Sequence, residues 1–134
     1  MTEQEYNRIT YQIIRCAMEV HRHLGPGLME SVYDFCLFQE IQNAGLKVER
    51  QKLLPVTYKG NVLEKDFYID QLVENEIVLE LKSIDGVLPV HEAQLLTYLK
   101  LSDRKLGLLI NFNVPVLKDG IRRKINGNLY YIKQ

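Results

Sequence analysis

One six-residue run constrains this chain more than any other. Ile77-Val78-Leu79-Glu80-Leu81-Lys82 is apolar enough for a central strand, yet it carries a carboxylate and an ammonium. Side chains alternate along a strand, so Glu80 and Lys82 share one face while Ile77, Leu79 and Leu81 point into apolar packing on the other. A strand expected from about Val62 to Val73 precedes the run, across the polar connection Glu74-Asn75-Glu76. A three-residue hairpin loop with Asn75 left-handed pairs Val73 with Ile77 and brings Asp70 opposite Glu80. Cross-strand Cβ atoms then lie about 5 Å apart. Two carboxylates so close repel, and a cation between them relieves the repulsion. Hard oxygen ligands favour Mg2+ (or Mn2+), which takes one or two carboxylates and keeps several waters. Lys82 would orient a water nucleophile or offset charge on a phosphate. The plainer reading is a Glu80–Lys82 salt bridge on a solvated strand face.

The remaining periodicities place this run within an α/β protein. Tyr6, Ile9, Ile13, Cys16, Ala17, Val20 and Leu24 recur at helical steps, which predicts an amphipathic helix from about Glu3 to His23, stopped at Gly25-Pro26-Gly27. A second helix is expected from about Met29 to Asn43, ending at Ala44-Gly45. From Leu46 the pattern turns extended, with an interruption at Pro55 and a hairpin turn at Lys59-Gly60-Asn61. After the central run come a third helix, about Val90 to Leu101, and a buried strand, Lys105 to Phe112. Gly127 to Ile132 would add a short edge strand. A chain of 134 residues suits one domain with one core, and the three-strand meander flanked by helices implies a mixed sheet in an α/β sandwich.

Charge and cysteine usage narrow the functional classes. Seventeen basic residues balance seventeen acidic ones, so no global positive field draws the protein onto nucleic acid. Any such contact is local. The polar, acidic start has no signal-peptide pattern and no stretch has the roughly 18 apolar residues of a membrane helix, which predicts a cytoplasmic protein without membrane contact. Cys16 and Cys36 lack metal-ligand spacing and read as small buried hydrophobes.

Three further features bear on chemistry. Gln94 and Tyr98 lie one turn apart on the third helix with His91 on the same stripe, where they either border the core or reach a water or phosphate. Gly27 gives the second helix a flexible entry, and Glu30 and Tyr33 share its first turn, where an acid also favours the helix dipole. Lys118, Arg122, Arg123 and Lys124 form the one basic run, a phosphate grip or simply a charged strand or turn.

Together these residues resemble the small bacterial GxxExxY proteins of the PD-(D/E)XK nuclease superfamily. Gly27, Glu30 and Tyr33 fit the naming motif, after Val20-His21-Arg22-His23-Leu24-Gly25. The similarity runs on through Asp70, Val78 to Lys82, Pro89 to Leu99 and Gly107 to Phe112. Asp70, Glu80 and Lys82 look like the superfamily's acid, acid and lysine; Gln94 and Tyr98 resemble its QxxxY element; Glu30 looks like the first core helix's glutamate. Ile69 departs from the pattern by standing where the signature has proline.

The resemblance implies a restriction-endonuclease-like α-β-β-β-α-β core with a mixed central sheet flanked by helices. Residues 1–25 would be an added helix, 27–113 the core and 114–134 a C-terminal extension. It further implies Mg-dependent phosphodiester hydrolysis in DNA or RNA, with Asp70, Glu80 and the Leu81 backbone carbonyl as metal ligands and Lys82 activating water. Glu30 and Gln94 would extend the site and Tyr98 position substrate, while His21 and His91 would support from behind or serve structure. Nucleases on this fold usually dimerise or carry an extra domain, so a homodimer is one expectation. The rival is a non-catalytic nuclease-fold protein acting through protein binding or self-association; small phosphate esters are a third substrate class.

Overall fold

The computed structural model describes residues 1–129, apart from the side chains of 64–66. Helix α1 spans Glu3–Leu24 and α2 Glu30–Asn43; strands β1 (Val48–Tyr58), β2 (Asn61–Val73) and β3 (Ile77–Lys82) follow. Then come α3 (Pro89–Ser102), β4 (Leu106–Asn111), a 3-10 turn at Leu117–Gly120 and β5 (Ile121–Ile125). The strands lie in sequence order, antiparallel except for β3 and β4, which α3 connects as parallel neighbours. This is the expected mixed sheet of a restriction-endonuclease-like fold.

The sheet buries both faces. Alternation along β3 sends Ile77, Leu79 and Leu81 to a core that also holds Tyr6, Ile9, Ile13, Ala17 and Val20 of α1 and Tyr33, Leu37 and Ile41 of α2. Val78 goes to the opposite core, with Leu95 and Leu99 of α3 and Leu109 of β4. Gly107 lets α3 settle onto β4, since a Cβ there would lie 2.8 Å from Leu95 Cδ1.

The β2–β3 connection forms as expected: Val73 pairs with Ile77, and Asn75 is left-handed at φ 58°. Glu74 is left-handed too, at φ 53°. Pro55 does not end β1. The strand continues through a register shift between Leu54 and Val56, because an edge strand tolerates a residue without an N–H. At the other end, Arg122, Arg123 and Lys124 of the basic run lie on β5, paired with β4 and completing the sheet inside the segment expected as an extension, while Lys118 lies in the 3-10 turn. The edge strand expected at 127–132 has no counterpart at 127–129, where Leu129 instead packs into the core; the rest of that expectation lies outside the described residues.

The entry to α2 is fixed by Tyr33. Its hydroxyl donates to the Gly25 carbonyl at 2.6 Å and accepts from the Leu28 N–H at 3.1 Å, while its ring stacks on Phe112 at 4.5 Å. Ser83, just past β3, donates to the Leu28 carbonyl, so the loop is tied to the end of the central strand. Gly27 takes φ 98° within it, which disfavours a side chain. Tyr33→Phe keeps the stack and removes both hydrogen bonds at a buried position. We expect a loss of about 1–2 kcal/mol in urea unfolding with an unchanged m-value.

Candidate active site

The β2 and β3 strands separate at one point, and the acidic residues stand there. Their ladder runs Val73↔Ile77, Leu72↔Val78, Gln71↔Leu79 and stops. Beyond it, β2 continues with β1 alone while β3 continues with β4. On the β1 side, the register passes from Arg50↔Gln71 to Lys52↔Ile69, skipping Gln51, whose φ of 50° kinks the strand, and Asp70. Asp70 thus lies where the pairing on both sides of β2 is interrupted.

A fork in a sheet leaves backbone donors without ladder partners, and buried ones must be satisfied. Here the carboxylates do it. Asp70 Oδ2 accepts from the Leu81 N–H at 2.7 Å, and Glu80 Oε1 accepts from the Asp70 N–H at 3.4 Å. Each strand's acid caps the other strand's backbone, which gathers the two carboxyls into one electrostatic environment.

The electrostatic cost of this arrangement is visible. Burial, then the charge of Asp70, pushes Glu80 up to about 8, and burial likewise raises Asp70 despite the Leu81 N–H that lowers it. Tyr98 on α3 is raised by burial and then by Glu80 and Asp70, so its hydroxyl belongs to the same field. Glu30, at the start of α2, is raised by desolvation and then by Asp70, with Lys82 opposing. Lys82 lies half-buried one alternation beyond Glu80 and forms no ion pair within 4 Å among the described residues. The simple Glu80–Lys82 salt bridge is therefore absent.

A cleft of about 430 Å³ opens beside the fork, lined by Met29, Glu30, Ser31, Asp34, Arg50, Gln51, Asp70 and Leu81. Among the described residues, no three His, Cys, Asp or Glu side chains form a ready-made metal cage. Asp70 and Glu80 nevertheless fit a magnesium-type ion: two oxygen-donor side chains, each with one carboxylate oxygen that accepts no backbone hydrogen bond among the described residues, held together against their repulsion.

Other sequence candidates are placed differently. Gln94 is exposed one turn before Tyr98 and makes no hydrogen bond among the described residues. His91 Nδ1 accepts the Leu88 N–H at 2.9 Å, closing the first turn of α3. His21 Nε2 donates to the Val114 carbonyl at 2.8 Å, tying α1 to the segment after β4. The basic run is divided by the alternation of β5. Arg122 and Lys124 reach Glu92 of α3 at 3.8 and 2.7 Å, while Arg123 donates to Asn7 of α1. It does not present one continuous basic patch.

A network that sequence reasoning did not find adjoins the fork. Asp34, one turn beyond Glu30, accepts from Arg50 Nε at 2.9 Å and Nη2 at 2.5 Å, and its Oδ1 and main-chain carbonyl accept from Gln71 Nε2 at 2.9 Å each. Gln71 is fully buried next to Asp70 in sequence. The available signal was a lone amide between Ile69 and Val73, in a row otherwise apolar.

Comparison with known proteins agrees with this architecture. The family model of the PD-(D/E)XK nuclease superfamily matches residues 7–124, and the chain belongs to that superfamily. In fold it is similar to the crystal structure of SSO0001, at a TM-score of 0.50 and 20% identity, over 95% of this chain and 61% of that one. The chain thus spans about three-fifths of the length of that structure. No curated protein gives a significant match. Among the described residues, no helix is long and apolar enough to cross a membrane.

The raised Glu80 has a signed consequence for stability. Because the folded protein holds this proton more tightly than the unfolded chain, the associated stability is complete below pH 4.5 and is lost as pH rises to about 8. In metal-free buffer, Glu80→Gln should therefore match the wild type near pH 4.5 and exceed its Tm by roughly 3–8 °C at pH 8. A Tm difference independent of pH would contradict the burial of an ionising carboxyl there.

Proposed function

We propose that this protein is a divalent-metal-dependent nuclease that hydrolyses phosphodiester bonds in DNA or RNA. The observation that carries the reading is the pair Asp70 and Glu80, the first half-buried and the second buried, each capping the other's strand at the fork in a member of a nuclease superfamily. Such a pair destabilises the metal-free protein, and a cation offsets that cost. Asp70, Glu80 and the Leu81 carbonyl are the ligands we assign to Mg2+ or Mn2+. The ion, when bound, supplies positive charge against which a scissile phosphate is held and polarised.

The remaining roles belong to the chain. Lys82, without an ion-pair partner among the described residues, holds the attacking water or the charge developing on the phosphate. Tyr98 positions substrate from α3, with Gln94 at the outer rim, and Glu30 adds a carboxylate from α2. His21 and His91 are engaged in backbone contacts, and we give them no role in proton transfer. The narrower kinship with GxxExxY proteins rests on Gly27, Glu30 and Tyr33, of which the structure uses Gly27 and Tyr33 to set the α2 entry and leaves Glu30 to the cleft.

Calorimetric titration with Mg2+ and Mn2+, alongside cleavage of single-stranded and duplex DNA and RNA, tests the proposal. Asp70→Asn should abolish metal binding and lower cleavage by roughly 10²-fold or more. Lys82→Ala should lower kcat while leaving metal affinity within a few-fold of wild type, because it removes a charge outside the ligand set. If metal binding and cleavage are both absent from the wild type, the reading passes to a nuclease-fold protein that acts through protein binding or self-association.

A further inference from the structure

Resting on the nuclease reading, we propose that Arg50 is the phosphate anchor of the cleft, a fixed guanidinium that seats the sugar–phosphate backbone of a nucleic-acid strand beside Asp70. Arg50 lines the same cleft as Asp70, Glu30 and Leu81, and among the described residues it is the one basic side chain lining it. The other charged residues there are acidic, so a polyanion entering from this side needs a cation of the protein's own.

The guanidinium is preorganised for that task. Asp34 takes its Nε–H and one Nη2–H, and Gln71, buried beneath, holds Asp34 in turn. The ring of Phe38 lies 5.2 Å from the guanidinium carbon and that of Phe35 5.9 Å, which restrains the plane of the group. Of the five N–H donors of an arginine, the three that remain make no hydrogen bond among the described residues, and the side chain is 35% accessible. A guanidinium already ordered loses little further entropy on binding, and its fork matches phosphate oxygens.

The chain's topology explains why this arginine and not the basic run serves. Gln71 pairs with Arg50 across β1–β2, and the next residue along β2 is Asp70, so the anchor sits one ladder position from the acid. Lys124, by contrast, is held by Glu92 at 2.7 Å.

The test measures binding of a fluorescein-labelled single-stranded oligothymidylate by anisotropy across a salt series. The parent is Asp70→Asn, which binds without cutting, compared with Asp70→Asn carrying Arg50→Gln or Arg50→Lys; wild-type cleavage in Mg2+ is followed in parallel. Arg50→Gln should weaken binding about tenfold and reduce the slope of log K against log salt by about one, an effect that loss of a purely structural ion pair does not produce. Arg50→Lys, which keeps the charge, should retain the slope but bind more weakly than the parent; it carries the test if circular dichroism shows that Arg50→Gln does not fold. Unchanged affinity and slope in the folded variants, with wild-type cleavage intact, overturns the anchor and leaves the nuclease reading standing. A parent that binds no oligonucleotide overturns the anchor as well, and wild-type cleavage then decides whether the nuclease reading falls with it.

Discussion

The crossed pair of hydrogen bonds at the β2–β3 fork is the constraint around which the rest of this structure is arranged. Two strands of a sheet cannot part in a dry interior without leaving N–H groups unpaired, and each orphan costs about 1–3 kcal/mol. Asp70 and Glu80 supply the missing acceptors, each for the other strand. That solution has an electrostatic cost, because the acceptors are carboxyls: burial pushes both above their usual range, and the charge of Asp70 raises Glu80 further. One device therefore serves both strand separation and the gathering of negative charge, which is how a site for chemistry can be built into a small core.

The surrounding elements hold the fork in place. α1 and α2 cover one face of β3 and α3 the other, so β3 is braced on both sides while β2 departs toward β1. Tyr33, stacked on Phe112 and bonded to Gly25 and Leu28, sets where α2 begins, and hence where Glu30 and Asp34 stand. The kink at Gln51 on the opposite side of β2 relaxes the pairing beside Asp70 and opens the cleft. Rigid elements thus position the acids, and the gaps between elements admit a ligand.

The local pattern made much of this legible beforehand. Helical spacing located α1, α2 and α3 to within a residue or two, since amphipathic periodicity and Gly or Pro punctuation are properties of the segment itself. The Val73–Ile77 hairpin followed from a loop of fixed length and the two-residue period of a strand, whereas Asp70 and Glu80, expected directly opposite each other, lie just past the last ladder pair. Pro55 misled by suggesting a break, because only the sheet could say that β1 is an edge strand. The basic run left two readings open, because its charges look like one patch when read in line, whereas β5 sends alternate side chains to α3 and to α1, where Lys124 meets Glu92 and Arg123 meets Asn7.

What the sequence by itself determined is the three helices, the strands β1 to β4, their order and the two acids near the end of one hairpin, all consequences of local periodicity and short-range turn geometry. Only the tertiary structure decided that the hairpin forks at those acids, that Asp34, Arg50 and Gln71 form a network beside them, and that Tyr98 shares their field. The reason is physical: Asp34 and Arg50 lie 16 residues apart, and Gln71 lies 37 beyond Asp34. Their meeting depends on how a helix packs across two strands, which no periodicity within a segment encodes.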